Sequence, residues 1–119
     1  MNVARRDVGD VVILDLSGRL MGGPEAAAFN QAIRELTDDG RLRILVNLAD
    51  VTWINSTGLG LLISAFTLVK KRGGAMKFFG VTERIRGILA ITRLGTVFDT
   101  YADEAAALAS EPRRSGARG

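Results

Sequence analysis

The sequence predicts a single α/β domain, with a mixed, mostly parallel sheet of four to five strands packed against about four helices. Three observations carry this. Strand-type and helix-type runs alternate along the chain after an opening hairpin. The central run Ile44-Leu45-Val46 is apolar without alternation, the pattern of a strand covered on both faces. The chain has 119 residues, 47% of them apolar, enough for one buried core.

The elements follow in order. Asn2 to Asp7 pairs as a hairpin with the β-branched and leucine run Val11 to Leu16 through Gly9-Asp10, and Ser17-Gly18 closes the second strand. Gly22-Gly23-Pro24 breaks the chain, and Pro24 suits the first turn of a helix. Ala26, Phe29, Ile33 and Leu36 then recur at helical spacing until Asp38-Asp39-Gly40 ends the helix. Arg43 to Ala49 is the central strand. Thr57 to Lys71 forms the second helix, closed by Arg72-Gly73-Gly74, with basic residues in its last turn complementing the helix dipole. Met76 to Phe79 is the next strand. Thr82 caps a third helix through Ile85, Ile88, Leu89 and Ile91. A short strand at Val97-Phe98 and a helix from Asp103 to Ala109 complete a domain spanning residues 1–110. Residues 111–119 read as a disordered Arg/Gly/Ser tail.

Composition removes several function classes. There is no cysteine and no histidine. That excludes disulfides, thiol nucleophiles, cysteine or histidine metal sites and the commonest general base, so neither an enzyme nor a metal or cofactor site is expected. The net charge of +3 belongs to the residues after Pro112: 16 basic residues less Arg113, Arg114 and Arg118 leave 13, equal to the 13 acids. A balanced body without an aromatic-laced basic stripe argues against nucleic-acid binding. Arg5, Arg6 and Asp7 precede any apolar segment, and the longest apolar run, Leu59 to Val69, is about half of the roughly 20 residues a membrane span needs. A cytoplasmic protein without membrane insertion is expected.

The second helix carries two apolar stripes. Leu59, Leu62, Ile63, Phe66 and Val69 suit the core. Leu61, Ala65 and Leu68 form another, read either as burial on most sides or as an exposed face awaiting a partner. Trp53 is expected as a packed anchor at the end of the central strand rather than as a ligand platform.

The joint before this helix, Asn55-Ser56-Thr57-Gly58-Leu59-Gly60, is the most informative stretch. A helix start presents unpaired N–H groups and the positive end of the dipole, and glycines leave those amides open to an anion. A hydroxyl there can cap the helix, touch a phosphate or be phosphorylated. A dinucleotide fingerprint is incomplete, because Ile63 holds the third glycine position and no acid lies about twenty residues on. A P-loop is absent, and Ser56 has neither a Gly-x-Ser-x-Gly frame nor a histidine to activate it. From spacing alone, capping by Asn55, Ser56 or Thr57 is the reading to beat.

The stretch resembles the signature of the STAS domain, Asp-Ser-[Ser/Thr]-Gly-Leu-Gly at a strand-to-helix joint, and is most similar to the bacterial anti-sigma factor antagonists. Asp50-Val51-Thr52-Trp53-Ile54 resembles the family's lead-in, Val69-Lys70-Lys71-Arg72-Gly73-Gly74 its basic Gly-Gly turn, and Thr82-Glu83-Arg84-Ile85 with Thr92-Arg93-Leu94-Gly95 its third helix and exit. The resemblance spans roughly Val3 to Leu108. It implies that Ser56 is the phosphoacceptor, with Thr57 a secondary candidate. It also implies an anti-sigma factor serine kinase as partner, bound by the unphosphorylated form so that a sigma factor is freed, and a metal-dependent serine phosphatase that removes the phosphate. Partner-binding positions implied are Asn55, Thr57, Gly58, Leu59, Gly60, Arg19 and Met21. Two departures stand out. Asn55 replaces the usual Asp before the acceptor. Gly18-Arg19-Leu20-Met21 replaces Gly-Glu-[Ile/Leu]-Asp at the partner-binding edge, losing both acids and implying a partner of complementary charge. The alternative implied by these departures is a STAS scaffold or transporter-associated subunit that works without phosphorylation.

Overall fold

The computed structural model describes residues 2–92 and 98–111. Strands β1 (Asn2–Val8), β2 (Val11–Leu20), β3 (Arg43–Ile54), β4 (Ala75–Phe79) and β5 (Thr100–Tyr101) form one sheet in the order β1-β2-β3-β4-β5. β1 is antiparallel to β2 across the Gly9-Asp10 turn, and every other pair is parallel. Helices α1 (Pro24–Asp38), α2 (Ser56–Lys71) and α3 (Glu83–Thr92) connect the parallel strands, and α4 (Glu104–Ala109) follows β5. The predicted fold class is the one observed.

The unalternating run of β3 is explained by two cores. Ile44, Val46 and Leu48 join Val12, Leu14, Leu16, Met76 and Phe78 against Phe29 and Ile33 of α1, Leu62 and Val69 of α2, and Ile85 of α3. Leu45 points the other way, with Val11, Ile13 and Phe79 beneath Ala107 of α4. The second stripe of α2 resolves to burial: Leu61 and Ala65 are buried, and Leu68 packs partly against the main core.

The strands that lead to the joint are longer than their sequence suggests. β2 runs through Ser17-Gly18 to Leu20, and β3 continues past Ala49 to Ile54, because the ladder absorbs register shifts between Asp15 and Ser17 and between Gly18 and Arg19 instead of ending. Gly18 takes φ 87° there, conformational freedom that the sequence suggested for a turn. The strand expected at Val97-Phe98 is β5 at Thr100–Tyr101. Val97 lies outside the described residues, as do Arg93, Leu94 and Gly95. Phe98 is a core residue, its ring 4.5 Å from that of Phe78 and 5.2 Å from that of Phe66. Glu111, expected to open the tail, is held by Lys77 at 2.8 Å with 7% of its side chain exposed. The rest of the tail lies outside the described residues.

On the α4 side of the sheet, Arg6 bridges two carboxylates, Asp15 at 2.6 Å and Glu104 at 2.7 Å, and Asn47 Nδ2 donates to Asp15 at 2.8 Å. The network ties β1, β2, β3 and α4 together. Hydrogen bonding from Arg6, supported by Asn47, outweighs burial and holds the Asp15 carboxyl below the ordinary carboxylate range. A depressed folded-state pKa contributes stability above the unfolded value, about 3.9, that is lost as pH falls through the folded one. Asp15→Asn is therefore expected to be less stable than wild type at neutral pH. The gap should narrow as urea unfolding is repeated from pH 6 down to pH 3, and a gap that stays constant would show that Asp15 does not act through its charge.

Candidate functional site

The end of β3 delivers the chain to α2 through Asn55, which is extended (φ −100°, ψ −177°) and serves as the N-cap. Its Oδ1 accepts the Gly58 N–H at 2.8 Å, and its carbonyl accepts the Leu59 N–H at 2.9 Å. Its own N–H donates to the Leu20 carbonyl at 3.2 Å, while Nδ2 donates to the Met21 carbonyl at 3.4 Å. One side chain thus caps the helix and ties it to the end of β2. Capping, one of the three uses open to a hydroxyl here, is taken by the amide.

Ser56 and Thr57 are the first two helical residues, and both are exposed. Their N–H groups lie in the first turn, where a helix offers no internal acceptor. No acid sits in that turn. The hydroxyl of Ser56 therefore stands in solvent at the positive end of an uncapped-by-serine helix, with no carboxylate from its own turn beside it. Thr57 neither caps nor enters the core. Its methyl covers Gly22, where an added Cβ would come within 2.5 Å of Thr57 Cγ2.

The two glycines do different work. A Cβ on Gly58 would lie 2.0 Å from the Leu20 carbonyl oxygen, so this glycine permits the backbone of α2 to meet the backbone of β2. Its N–H is already spent on Asn55. Gly60 has nothing within 4 Å of a Cβ position. The expectation that both glycines open amides to an anion is thus corrected: Gly58 is a packing residue.

Of the partner-binding positions expected, Thr57, Arg19 and Met21 are exposed, and Asn55 and Gly60 are partly so. Gly58 and Leu59 are buried, Leu59 to 6% exposure within the main core, and do not form part of the surface. Trp53 departs from expectation in the opposite sense. It is 41% exposed, because the irregularity opposite Gly18 breaks the alternation of β3 and turns Thr52 and Trp53 outward in succession between buried Val51 and Ile54. The Leu20 carbonyl and Gly22 are further residues of the site. The Gly22-Gly23 pair signalled only a chain break in the sequence, and nothing local in it marks the contact with α2.

The STAS domain family matches residues 2–107. The chain belongs to this family. Among curated relatives, it is 40% identical over 55 residues to the anti-sigma-B factor antagonist of Bacillus subtilis, a match covering 46% of this chain and 50% of that protein. The chain thus spans about half the length of the curated relatives it matches. Among solved structures, an anti-sigma factor antagonist from Mycobacterium paratuberculosis superposes with a TM-score of 0.79 at 23% identity, covering 92% of each chain. The Bacillus cell fate determinant SpoIIAA in its phosphorylated form superposes with a TM-score of 0.72 at 17% identity, covering 92% of this chain and all of that one. These structures share the STAS fold. Among the described residues, no helix is long and apolar enough to cross a membrane.

In this STAS domain the cap is testable apart from the hydroxyls. Asn55→Ala is expected to lower stability by about 1 kcal/mol, up to about 2, the range for loss of an N-cap. Asn55→Asp should retain most of it, since a carboxylate still accepts from Gly58 although it cannot donate to Met21. Equal stability of wild type and Asn55→Ala in urea would show that the cap lies elsewhere.

Proposed function

We propose that this STAS domain is an anti-sigma factor antagonist with Ser56 as its switch. The unphosphorylated chain binds an anti-sigma factor serine kinase and frees the sigma factor that the kinase holds. ATP-dependent transfer of a phosphoryl group to Ser56 Oγ ends the interaction, and a metal-dependent serine phosphatase restores it. The chain itself acts as a binding module, in the cytoplasm, and needs no metal or cofactor. The observation that carries this reading is that Asn55 takes over the cap and leaves the Ser56 hydroxyl exposed and unused by the fold. The names of the curated relatives support it.

The physical logic is a separation of stability from binding. A phosphate adds about −1.5 to −2 charges and three acceptor oxygens. At the start of α2 that charge faces the dipole favourably and water freely. Against a packed partner the same group must lose its water, at several kcal/mol if unpaired. Thr57 is a poorer acceptor in this scheme, since its side chain is engaged in covering Gly22.

The test is phosphosite mapping by mass spectrometry on the chain isolated from its own cells, with bound proteins identified in the same sample. Phosphate on Ser56 together with an anti-sigma factor of the serine-kinase class is the expected result. An unmodified Ser56 across growth and stress conditions, with a transporter or scaffold protein bound instead, would overturn the proposal in favour of phosphorylation-independent assembly.

A further inference from the structure

The exposed large apolar side chains among the described residues are Val8, Met21 and Trp53, and two of the three gather at one corner beside the switch. Trp53 and Arg19 are direct partners in the parallel β2–β3 ladder. Partners in a parallel ladder project to the same side of the sheet, so Arg19 and Trp53 leave it on one side at neighbouring positions, opposite the side on which the next pair, Leu20 and Ile54, is buried. The arrangement is built by the register shift between Gly18 and Arg19, braced by the Thr52 hydroxyl donating to the Gly18 carbonyl at 3.3 Å. Irregularities of this kind re-aim side chains. Met21 adjoins through the hydrogen bond from Asn55, which makes the corner continuous with the residue before Ser56. Arg19 is exposed and forms no ion pair with another described residue.

We infer that Trp53 is the anchor by which this domain holds its anti-sigma factor, with Arg19 selecting an acidic rim on that protein. This rests on the function proposed above and adds the chemistry of the partner's surface: an apolar socket for the indole, bordered by carboxylate that Arg19 pairs. Tryptophan, with tyrosine and arginine, is enriched among interface hot spots, because it buries a large rigid area while its N–H keeps a polar contact. An uncovered tryptophan beside an unpaired arginine is an interface core with its charged rim. The same acidic rim explains why a phosphate at Ser56 would be rejected: it would bring like charge to a surface selected for cations.

The experiment measures the dissociation constant of the purified anti-sigma factor of the same host for wild type, Trp53→Ala, Arg19→Glu and Arg19→Lys. Melting curves on each confirm that they are folded. Trp53→Ala is expected to bind about 30-fold or more weakly, as for a hot-spot residue. Arg19→Glu should bind about tenfold or more weakly and lose the salt dependence that Arg19→Lys keeps. Trp53 is the only tryptophan in the chain, so fluorine NMR of a fluorotryptophan-labelled protein reports it alone and should shift on binding. Wild-type affinity in Trp53→Ala with an unmoved fluorine signal would overturn the inference and leave the proposed function standing. Failure of wild type to bind would overturn both.

Discussion

Gly58→Ala is expected to cost this domain a large part of its stability, whereas Gly60→Ala, two residues on in the same helix, should leave it intact or slightly more stable. A methyl on Gly58 would lie 2.0 Å from the carbonyl oxygen of Leu20, 2.6 Å from its carbonyl carbon and 2.9 Å from its Cβ. Two of these atoms are backbone, so no rotamer change clears them. Either α2 lifts from β2 or Leu20 moves. The first movement breaks the Asn55 cap and the bond from Asn55 N–H to Leu20, and the second pulls a fully buried leucine out of the core. Overpacking of this kind costs about 1–3 kcal/mol, and loss of the cap adds about 1. Their sum, roughly 2–4 kcal/mol, is a large fraction of the 5–15 kcal/mol typical of a domain. Gly60 has open space at its Cβ position, and alanine there gains roughly 0.5–1 kcal/mol of helix propensity. Urea unfolding of the two variants side by side checks the contrast. Comparable midpoints would show that the close approach of α2 to β2 is not what Gly58 provides.

The contrast also marks where sequence was informative. Periodicity located α1, α2 and α3 and the strands β2, β3 and β4, because burial on one stripe or on two faces leaves a pattern in consecutive residues: Phe29, Ile33 and Leu36 for α1, Ile44-Leu45-Val46 for β3. The strand ends were not legible. Gly18 and Ser17 have turn chemistry, yet a neighbouring strand can absorb them as irregularities, and that depends on the partner rather than on local sequence. The exposure of Trp53 has the same origin. At the site, the resemblance made Ser56 the expected acceptor, and the motif left open which of Asn55, Ser56 and Thr57 caps the helix. Only the geometry of the Asn55 carboxamide, bridging Gly58 and Met21, answers that. Gly58 and Gly60 look alike in sequence, since a glycine demanded by a carbonyl thirty-eight residues earlier carries no local mark.

Ser56→Ala is expected to bind the anti-sigma factor as tightly as wild type, and Ser56→Glu to bind it roughly 30- to 1,000-fold more weakly, the equivalent of about 2–4 kcal/mol for a charge placed against an unaccommodating surface. Calorimetric titration of both variants with the purified partner gives the comparison. The stability of the same variants decides between switch and cap. Because Asn55 supplies the cap, Ser56→Ala should lie within about 0.5 kcal/mol of wild type, as for a surface change. Ser56→Glu should be equally stable or gain about 0.3–1 kcal/mol from the helix dipole. A switch residue thus moves binding and spares folding, while a cap residue does the reverse, as Asn55→Ala is expected to. If Ser56→Ala destabilised the fold by a full kcal/mol, the hydroxyl would be structural after all. If instead both variants bound equally well, charge at this helix start would not govern the interaction, and the replacement of the usual aspartate by Asn55 would have to be understood as the mark of a STAS domain released from phosphorylation control.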